Sequence, residues 1–141
     1  EKALEVASYN AKSLGVDKKV KFIKSDILNS VLNFDEKFDI LVSNPPYIAS
    51  AVIETLEPEV RLHEPIGALD GTADGLYFYR KIVTDSKRFL KKGGALLFEI
   101  GHDQGEAVAE LMKAAGFTKV MVKKDYAGLD RVVYGFFEEE A

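Results

Sequence analysis

A short loop with two consecutive prolines, Asn44-Pro45-Pro46-Tyr47, holds the groups in this sequence that are best suited to chemistry. Each proline fixes φ, lacks an N–H and disfavours the helical region for the residue before it, so the loop should be extended and rigid. Because the prolines donate no hydrogen bonds, the loop carbonyls stay open to a ligand, and Asn44 adds a side-chain carbonyl. Two such acceptors suit an NH2 group, and Tyr47 offers a flat face for the plane that carries it.

The chemistry that this loop could support is transfer of a methyl group to the bound nitrogen. A carboxamide nitrogen is a poor nucleophile, because its lone pair is delocalised into its carbonyl, so it must be oriented toward an S-methyl group. Orientation can account for several kcal/mol, against a ceiling of about 7 to 11 kcal/mol, whereas each neutral hydrogen bond contributes only about 1 kcal/mol of net binding. Geometry and the exclusion of water are therefore expected to dominate.

A simpler interpretation is that the loop only ends a strand, since Asn and Pro are common strand breakers. Its position favours a binding role, because it directly follows the apolar run Phe38–Ser43. Asp26 likewise follows a predicted strand and could accept a hydrogen bond from an adenine amino group, but it could equally be a helix cap or turn residue.

The composition predicts one globular domain over residues 1–141, with 47% hydrophobic and 30% charged residues. The net charge of -4 and the pI near 5.3 disfavour direct nucleic-acid binding. There are no cysteines and only two histidines, so we expect neither disulfides nor a metal site. The absence of cysteines fits a cytoplasmic protein. No apolar run approaches the length of a membrane span, so we expect no membrane partner.

The elements that must position the loop alternate between helices and strands, which predicts α/β architecture with ligands at the carboxyl ends of the strands. Apolar periodicity and turn residues predict helices over 3–13, 76–90 and 105–115, short strands over 20–25 and 95–100, a buried parallel strand over 38–43, an irregular stretch over 49–75, and a hairpin of strands 120–124 and 131–137 around Ala127-Gly128. The predicted helix over 76–90 is expected to close at Lys91-Lys92-Gly93-Gly94.

Eight segments, spread over nearly the entire length of the sequence, carry a resemblance to a known family: Ala7–Ala11, Val42–Ile48, Glu59–Pro65, Ala68–Gly71, Asp74–Leu76, Tyr79-Arg80, Glu99–Gly101 and Asp130–Val133. In these segments the sequence resembles the release-factor glutamine methyltransferases. The Asn-Pro-Pro-Tyr loop is shared with many enzymes that methylate amino groups, whereas the segments around Arg61–Pro65 and Ala68–Gly71 are more specific to this family.

This resemblance implies a Rossmann-like class I methyltransferase fold that uses S-adenosylmethionine and releases S-adenosylhomocysteine. The implied substrate is the glutamine of the Gly-Gly-Gln motif in class I peptide-chain release factors, which act in translation termination. In the family pattern, Asn44 and Pro45 accept the two amide protons, while Pro46 and Tyr47 shape the glutamine pocket.

The same resemblance implies that Asn44 also lies near the cofactor, with Asp26 and Ile27 beside its adenine. Glu64 and Pro65 could form a lid over the glutamine or simply anchor a loop, and the neighbouring His63 is expected to be structural.

The role of Glu99 is open, and no chemical role is expected for the pair Asp130-Arg131. Glu99 could contact a bound group or be a capped, buried carboxylate. Asp130-Arg131 is expected to be a turn held by a salt bridge.

One departure from the family pattern concerns the cofactor site. The Gly-rich loop after the first strand and the acidic residue that ends the second strand are absent, since the glycines of Gly71–Gly75 do not lie between a strand and a helix. We therefore expect a C-terminal part of a longer enzyme that lacks the first two strands. Alone, it should bind S-adenosylmethionine weakly and transfer no methyl group.

Two other hypotheses remain beside this one. The chain could belong to a DNA or RNA amino-methyltransferase with the same loop, although its acidic balance argues against this. It could also be a non-catalytic interaction or assembly domain. The sheet edges left bare by the missing strands could either meet each other or pair with another chain, which would cause self-association.

Overall fold

The computed structural model describes residues 2–31 and 35–138, and its contacts divide the chain into two compact units, residues 1–35 and 36–141. The expectation of a single domain over the whole chain stays a prediction.

The first unit is built on helix α1, Lys2–Ser13. The helix ends as predicted before Gly15, whose φ of +67° closes it in the left-handed region that glycine adopts without strain. The strand predicted over residues 20–25 is wrong, because these residues belong to no strand ladder. A strand needs a backbone partner, and α1 and the 3-10 turn Asn29–Val31, the two elements described in residues 2–31, offer none.

The second unit contains a four-stranded sheet in the order β1-β2-β4-β3. The β1–β2 pair is parallel, as predicted, and the other two pairs are antiparallel. Its strands are β1 Phe38–Ser43, β2 Leu90–Glu99, β3 Phe117–Lys124 and β4 Asp130–Phe137. Its helices are α2 Ser50–Ile53, α3 Pro58–His63, α4 Ile66–Leu69, α5 Tyr77–Ser86 and α6 Gly105–Ala114.

The strand β1 follows its predicted bounds, but the prediction that it is buried is wrong. Ile40 is 60% exposed and Val42 is 70% exposed. The reason is that β1 lies at the edge of the described sheet, with β2 as its one strand neighbour.

Two further predictions need correction at the borders of α5. The stretch 49–75 is not wholly irregular, since it holds the short helices α2, α3 and α4. The segment Lys91–Gly94 does not close a helix but lies within β2, where it bulges: Leu90 pairs with Phe38, and the next pair joins Ala95 to Ile40. Lys91 holds this end of the sheet through its Nζ, 2.8 Å from the Asp39 carboxylate.

The core of the second unit lies where α5 and α6 pack on the sheet. Tyr79 and Phe98 are completely buried, and their rings meet edge to face with centroids 5.2 Å apart. Burial of one large apolar side chain stabilises a fold by about 1.5 to 3 kcal/mol. The other fully buried large apolar side chains are Leu90, Leu96, Ile100, Val108, Met112 and Val133.

The α6 helix and the following hairpin agree with the sequence. Gly116 ends the helix with a φ of +85°, and Gly128 takes a φ of +81° in the β3–β4 turn. Within the described parts of the chain, no helix has the length and apolarity that a membrane span requires.

Candidate active site

The Asn-Pro-Pro-Tyr loop leaves β1 at the edge where the parallel strands end. Ser43, the last residue of β1, pairs with Phe98, so the loop begins beside Glu99 at the end of β2. This is the edge at which ligands collect in α/β sheets. The placement agrees with the sequence-based expectation for this loop.

The two predicted acceptors on this loop differ in exposure. Asn44 is exposed, whereas Pro45 is buried and Tyr47 is half-buried. Across residues 2–31 and 35–138, no donor is hydrogen-bonded to the Asn44 side chain or to the Pro45 carbonyl. Both acceptors are therefore without a donor among the described residues, and binding of an NH2 group requires such unpaired acceptors.

A second segment, Leu69–Thr72, holds the loop in place, and we call it the strap. The Ile48 N–H donates to the Leu69 carbonyl at 3.0 Å, and the Gly71 N–H donates to the Ile48 carbonyl at 2.8 Å. Ile48 and Asp70 thereby form a parallel bridge. The Ala68–Gly71 segment, one of those in which the sequence resemblance lies, thus directly supports the candidate catalytic loop.

The side chain of Asp70 fastens the strap at its far end. Its carboxylate accepts a hydrogen bond from the Ser50 hydroxyl at 2.7 Å and another from the Thr72 N–H at 2.8 Å. The Ser50 N–H donates in turn to the Thr72 carbonyl at 3.0 Å. Asp70 therefore has a structural role.

Two glycines permit the close approach of this region to Tyr47. A Cβ on Gly71 would lie 2.8 Å from Tyr47 Cα and 2.8 Å from Gly75 Cα, closer than carbon atoms approach in folded proteins. A Cβ on Gly75, which has a φ of +72°, would collide with the Tyr47 carbonyl oxygen. The backbone of Tyr47 is consequently packed against backbone, with no room for a side chain between them.

Gln104, which the sequence analysis did not single out, also contacts this backbone. Its Nε2 donates to the Tyr47 carbonyl at 3.0 Å, and its Oε1 accepts from the Gly101 N–H at 3.0 Å. The one available signal was its position, three residues after Gly101 at the carboxyl end of β2.

A cavity of about 490 Å³ opens beside the loop, and Gln104 and Tyr47 contribute to its wall. Most of the lining is apolar, with Asp74, His102 and Asp103 as the polar side chains besides Gln104. Its volume lies within the usual range for small-molecule and side-chain pockets. The remaining lining residues are Ile48, Ala49, Val52, Leu56, Leu76, Gly101 and Ala107.

An ion pair borders this cavity at Asp74. The Arg80 guanidinium binds the Asp74 carboxylate with two hydrogen bonds, of 2.8 and 3.0 Å. These bonds, chiefly, lower the pKa of Asp74 from 3.8 to about 2. Asp74 is therefore a carboxylate paired with Arg80 rather than a free general base.

The prediction that Asp130-Arg131 is a turn is wrong, because these are the first two residues of β4; each forms a salt bridge, but with a different partner. Asp130 binds the Lys124 ammonium at 2.9 Å, and Arg131 binds Asp125 at 3.2 Å. Neighbouring residues of a strand point to opposite faces, so Asp130 and Arg131 cannot easily pair with each other. The ion pairs nevertheless hold the β3–β4 turn.

Asp125 organises that turn. Its carboxylate accepts hydrogen bonds from the N–H groups of Ala127 and Leu129, and the bond from Leu129 is the main cause of its lowered pKa. The hydrogen bond to Asp125 raises the pKa of Arg131, which also donates to the Ile100 carbonyl at 3.3 Å. Arg131 thus ties the turn to the end of β2.

Comparison with known proteins gives the sequence relationship. The chain is 47% identical to the release factor glutamine methyltransferase of Caulobacter vibrioides over 133 residues. This alignment covers 94% of the chain and 45% of that protein. It is 43% identical over 131 residues to the protein of the same name from Clostridium acetobutylicum, covering 93% of the chain and 46% of that protein. The resemblance to the release-factor glutamine methyltransferases is confirmed. The chain spans less than half the length of these relatives.

The fold agrees with this relationship to the release-factor glutamine methyltransferases. An O-methyltransferase family protein from Burkholderia thailandensis superposes over 97% of the chain and 41% of its own length, with a TM-score of 0.61. At 13% identity, this likeness concerns the fold alone. The predicted Rossmann-like class I methyltransferase fold is confirmed. In a separate comparison, no family model matches the chain.

The residues that the release-factor glutamine methyltransferase pattern places beside the adenine lie in the first unit. Asp26 is exposed, and its carboxylate accepts a hydrogen bond from the Asn29 side chain at 3.1 Å. Ile27 is half-buried and has a φ of +53°. This left-handed conformation costs a β-branched residue about 1 to 3 kcal/mol. Their joint role with Asn44, which belongs to the second unit, stays a prediction.

The predicted lid residues of this family pattern lie between two short helices. Glu64 follows the end of α3, Pro65 precedes α4, and both are exposed, as is His63. The Pro65 carbonyl accepts a hydrogen bond from Ala68 at 2.8 Å. Their roles as lid or loop anchor stay predictions.

Glu99 is half-buried at the carboxyl end of β2. Within the described residues its carboxylate accepts no hydrogen bond, so the capped carboxylate that the sequence left open is not observed. The same residues contain no group of three or more side chains that could hold a metal ion.

Proposed function

We propose that the natural protein containing this chain transfers a methyl group from S-adenosylmethionine to the side-chain nitrogen of the glutamine in the Gly-Gly-Gln motif of class I release factors. It would act in the cytoplasm, in translation termination. The observation that carries this proposal is the supported loop with two acceptors that pair with no described donor, within a sequence 47% identical to a release factor glutamine methyltransferase.

The roles proposed for the loop residues are those that the family resemblance implies. The Asn44 side-chain carbonyl and the Pro45 carbonyl would each accept one hydrogen of the glutamine NH2 group, which fixes the nitrogen lone pair. Tyr47 would lie against the amide plane, and Pro46 would close the pocket. Orientation of this kind is worth more than the two hydrogen bonds themselves.

The balance of the reaction is simple. The bound cofactor supplies the methyl group. A nitrogen–carbon bond forms as the sulfur–carbon bond breaks, S-adenosylhomocysteine leaves, and the nitrogen loses one proton. Because that proton can leave after nitrogen has become cationic, the loop needs no strong general base.

The residues proposed for the cofactor suit the chemistry of an adenine ring. The exposed Asp26 carboxylate can accept a hydrogen bond from an exocyclic amino group, and the half-buried Ile27 offers apolar surface. Strained backbone such as that of Ile27 clusters at binding sites, which supports this assignment. Asn44 would complete the cofactor contacts.

The test is an assay with methyl-labelled S-adenosylmethionine and the complete natural gene product, beside the 141-residue chain alone. Separate reactions contain a class I release factor, the same factor with Gln→Asn in its Gly-Gly-Gln motif, duplex DNA, or ribosomal RNA. We expect label on the release factor and none on the variant factor or the nucleic acids. We also expect none with the chain alone. Label on DNA or RNA would instead support an amino-methyltransferase that acts on nucleic acid. The absence of label on every substrate would support a non-catalytic interaction domain.

The exposed edge strand β1 leads to a further proposal for the chain alone. Ile40 and Val42 are both more than half exposed, and β1 leaves one row of backbone groups open in the described sheet. Exposed apolar edges tend to pair with other chains. We therefore propose that the isolated chain self-associates. Sedimentation velocity should show a dimer that increases with concentration, and a monomer at every concentration would contradict this.

A further inference from the structure

Gln104 lies at the meeting point of four parts of the second unit. Its Nε2 donates to the Tyr47 carbonyl at 3.0 Å and approaches the Gly75 carbonyl at 3.4 Å. Its Oε1 accepts from the Gly101 N–H at 3.0 Å and lies 3.5 Å from the Tyr79 hydroxyl. One side chain thus joins the loop, the backbone at Gly75 after the strap, the end of β2 and helix α5.

A carboxamide is the side chain that this position requires. It must donate to two carbonyl oxygens on one side and accept from an N–H on the other. Glutamine has two amide hydrogens and a carbonyl oxygen, whereas a carboxylate can only accept. A glutamate here would face the oxygens of Tyr47 and Gly75 with like partial charge.

The partner of Gln104 within the loop is the residue that would contact the substrate. Tyr47 has its Cα against the Gly71 backbone on one side, and its carbonyl held by Gln104 on the other. Both contacts restrain the peptide plane between Tyr47 and Ile48. The direction of the Tyr47 ring, and of the acceptors that precede it, depends on that restraint.

We propose that Gln104 is a positioning residue for methyl transfer, which sets the Asn-Pro-Pro-Tyr loop through the Tyr47 carbonyl without touching the substrate. This inference rests on the proposed function, because it assigns Gln104 a role in the same reaction. A small displacement of reacting groups is sufficient for a large loss of rate. Gln104 therefore controls kcat rather than affinity for the cofactor.

The kinetic test uses the complete natural gene product with Gln104→Glu and Gln104→Met. Glu106→Gln serves as the matched control, because Glu106 is exposed in the first turn of α6, two residues away. With a class I release factor, we expect kcat to fall about 10- to 100-fold in both Gln104 variants. KM for S-adenosylmethionine should stay within about threefold, and the control should match the parent.

A second measurement, amide hydrogen exchange, does not depend on activity. The N–H groups of Ile48, Ser50 and Gly71 bond between the loop and the strap, so their protection reports how firmly the loop is held. Faster exchange at these amides in both Gln104 variants, with unchanged exchange in β4, is the expected result. It would show that Gln104 holds the loop even if the parent enzyme methylated no release factor, in which case the proposed function and the catalytic role of Gln104 would fail but its structural contact would stand.

Three results would overturn the inference. One is an active parent whose kcat changes less than about twofold in both variants. Another is unchanged exchange at the loop and strap amides. The third is an equal rise in exchange throughout the second unit, which would make Gln104 a residue of general stability.

Discussion

Replacing Asn44 with alanine will lower kcat for release-factor methylation by about 100- to 1,000-fold in the complete natural gene product. In the proposed mechanism, the variant loses one of the two acceptors that would orient the glutamine NH2 group, so the nitrogen lone pair would no longer be directed at the methyl carbon. Loss of one oriented group in an active site typically has an effect of this size. Steady-state kinetics with labelled S-adenosylmethionine will measure it.

The stability of the Asn44→Ala variant will distinguish this effect from misfolding. Asn44 is exposed, and its side chain bonds to none of the residues in the described ranges, so the free energy of unfolding should change by less than about 0.5 kcal/mol. Asn10→Ala, at an exposed asparagine of α1, is the matched control and should retain full activity. Undiminished kcat in Asn44→Ala would remove Asn44 from the reaction.

The second large effect is expected from Gly71→Ala in the strap. The new methyl group would lie within 3 Å of backbone atoms of Tyr47 and Gly75, which cannot rotate away as a flexible side chain could. Overpacking of this kind costs about 1 to 3 kcal/mol of stability. Displacement of Tyr47 should also lower kcat about 100-fold. Denaturant unfolding and the methylation assay will measure the two effects.

The chain offers a close control for this substitution, four residues earlier. A Cβ on Gly67 would meet no atom within 4 Å, and Gly67 lies in the short helix α4. Gly67→Ala should therefore leave activity intact and either leave stability unchanged or raise it by up to about 1 kcal/mol. If Gly71→Ala behaves like Gly67→Ala, the strap does not support the loop.

The elements that the sequence predicted well are those whose signals are local. The helices α1 and α6 have apolar periodicity along their own length and a glycine at their ends, at Gly15 and Gly116. The β3–β4 hairpin combines two short apolar runs with a turn at Gly128. Such patterns need no knowledge of distant contacts.

The predictions that failed depend on neighbours in space. An apolar run such as Phe38–Ser43 indicates a strand, but the number of strands beside it decides whether it is buried. Residues 20–25 have strand-like residue types without a described ladder partner. The helices α2, α3 and α4 have only four to six residues each, too few to show a helical period.

The candidate site likewise contains residues that local sequence signals identify and residues that only distant contacts identify. Two adjacent prolines predict a rigid loop from their own covalent structure, so Asn44-Pro45-Pro46-Tyr47 could be identified directly. The bond from Gln104 to Tyr47 spans 57 residues, and its contact with Gly75 spans 29. Nothing near Gln104 in the sequence indicates these partners, and the support of the loop became visible only in three dimensions.

The bulge at Lys91–Gly94 offers a place to attach a reporter. It lies at the amino end of β2, and the six residues of β1 separate it from the loop by about 20 Å. Lys92 is exposed and the 141-residue chain contains no cysteine, so Lys92→Cys would give this chain a single thiol for a fluorescent dye. Substrate binding could then be followed by anisotropy from a position that leaves the Asn44 edge unobstructed.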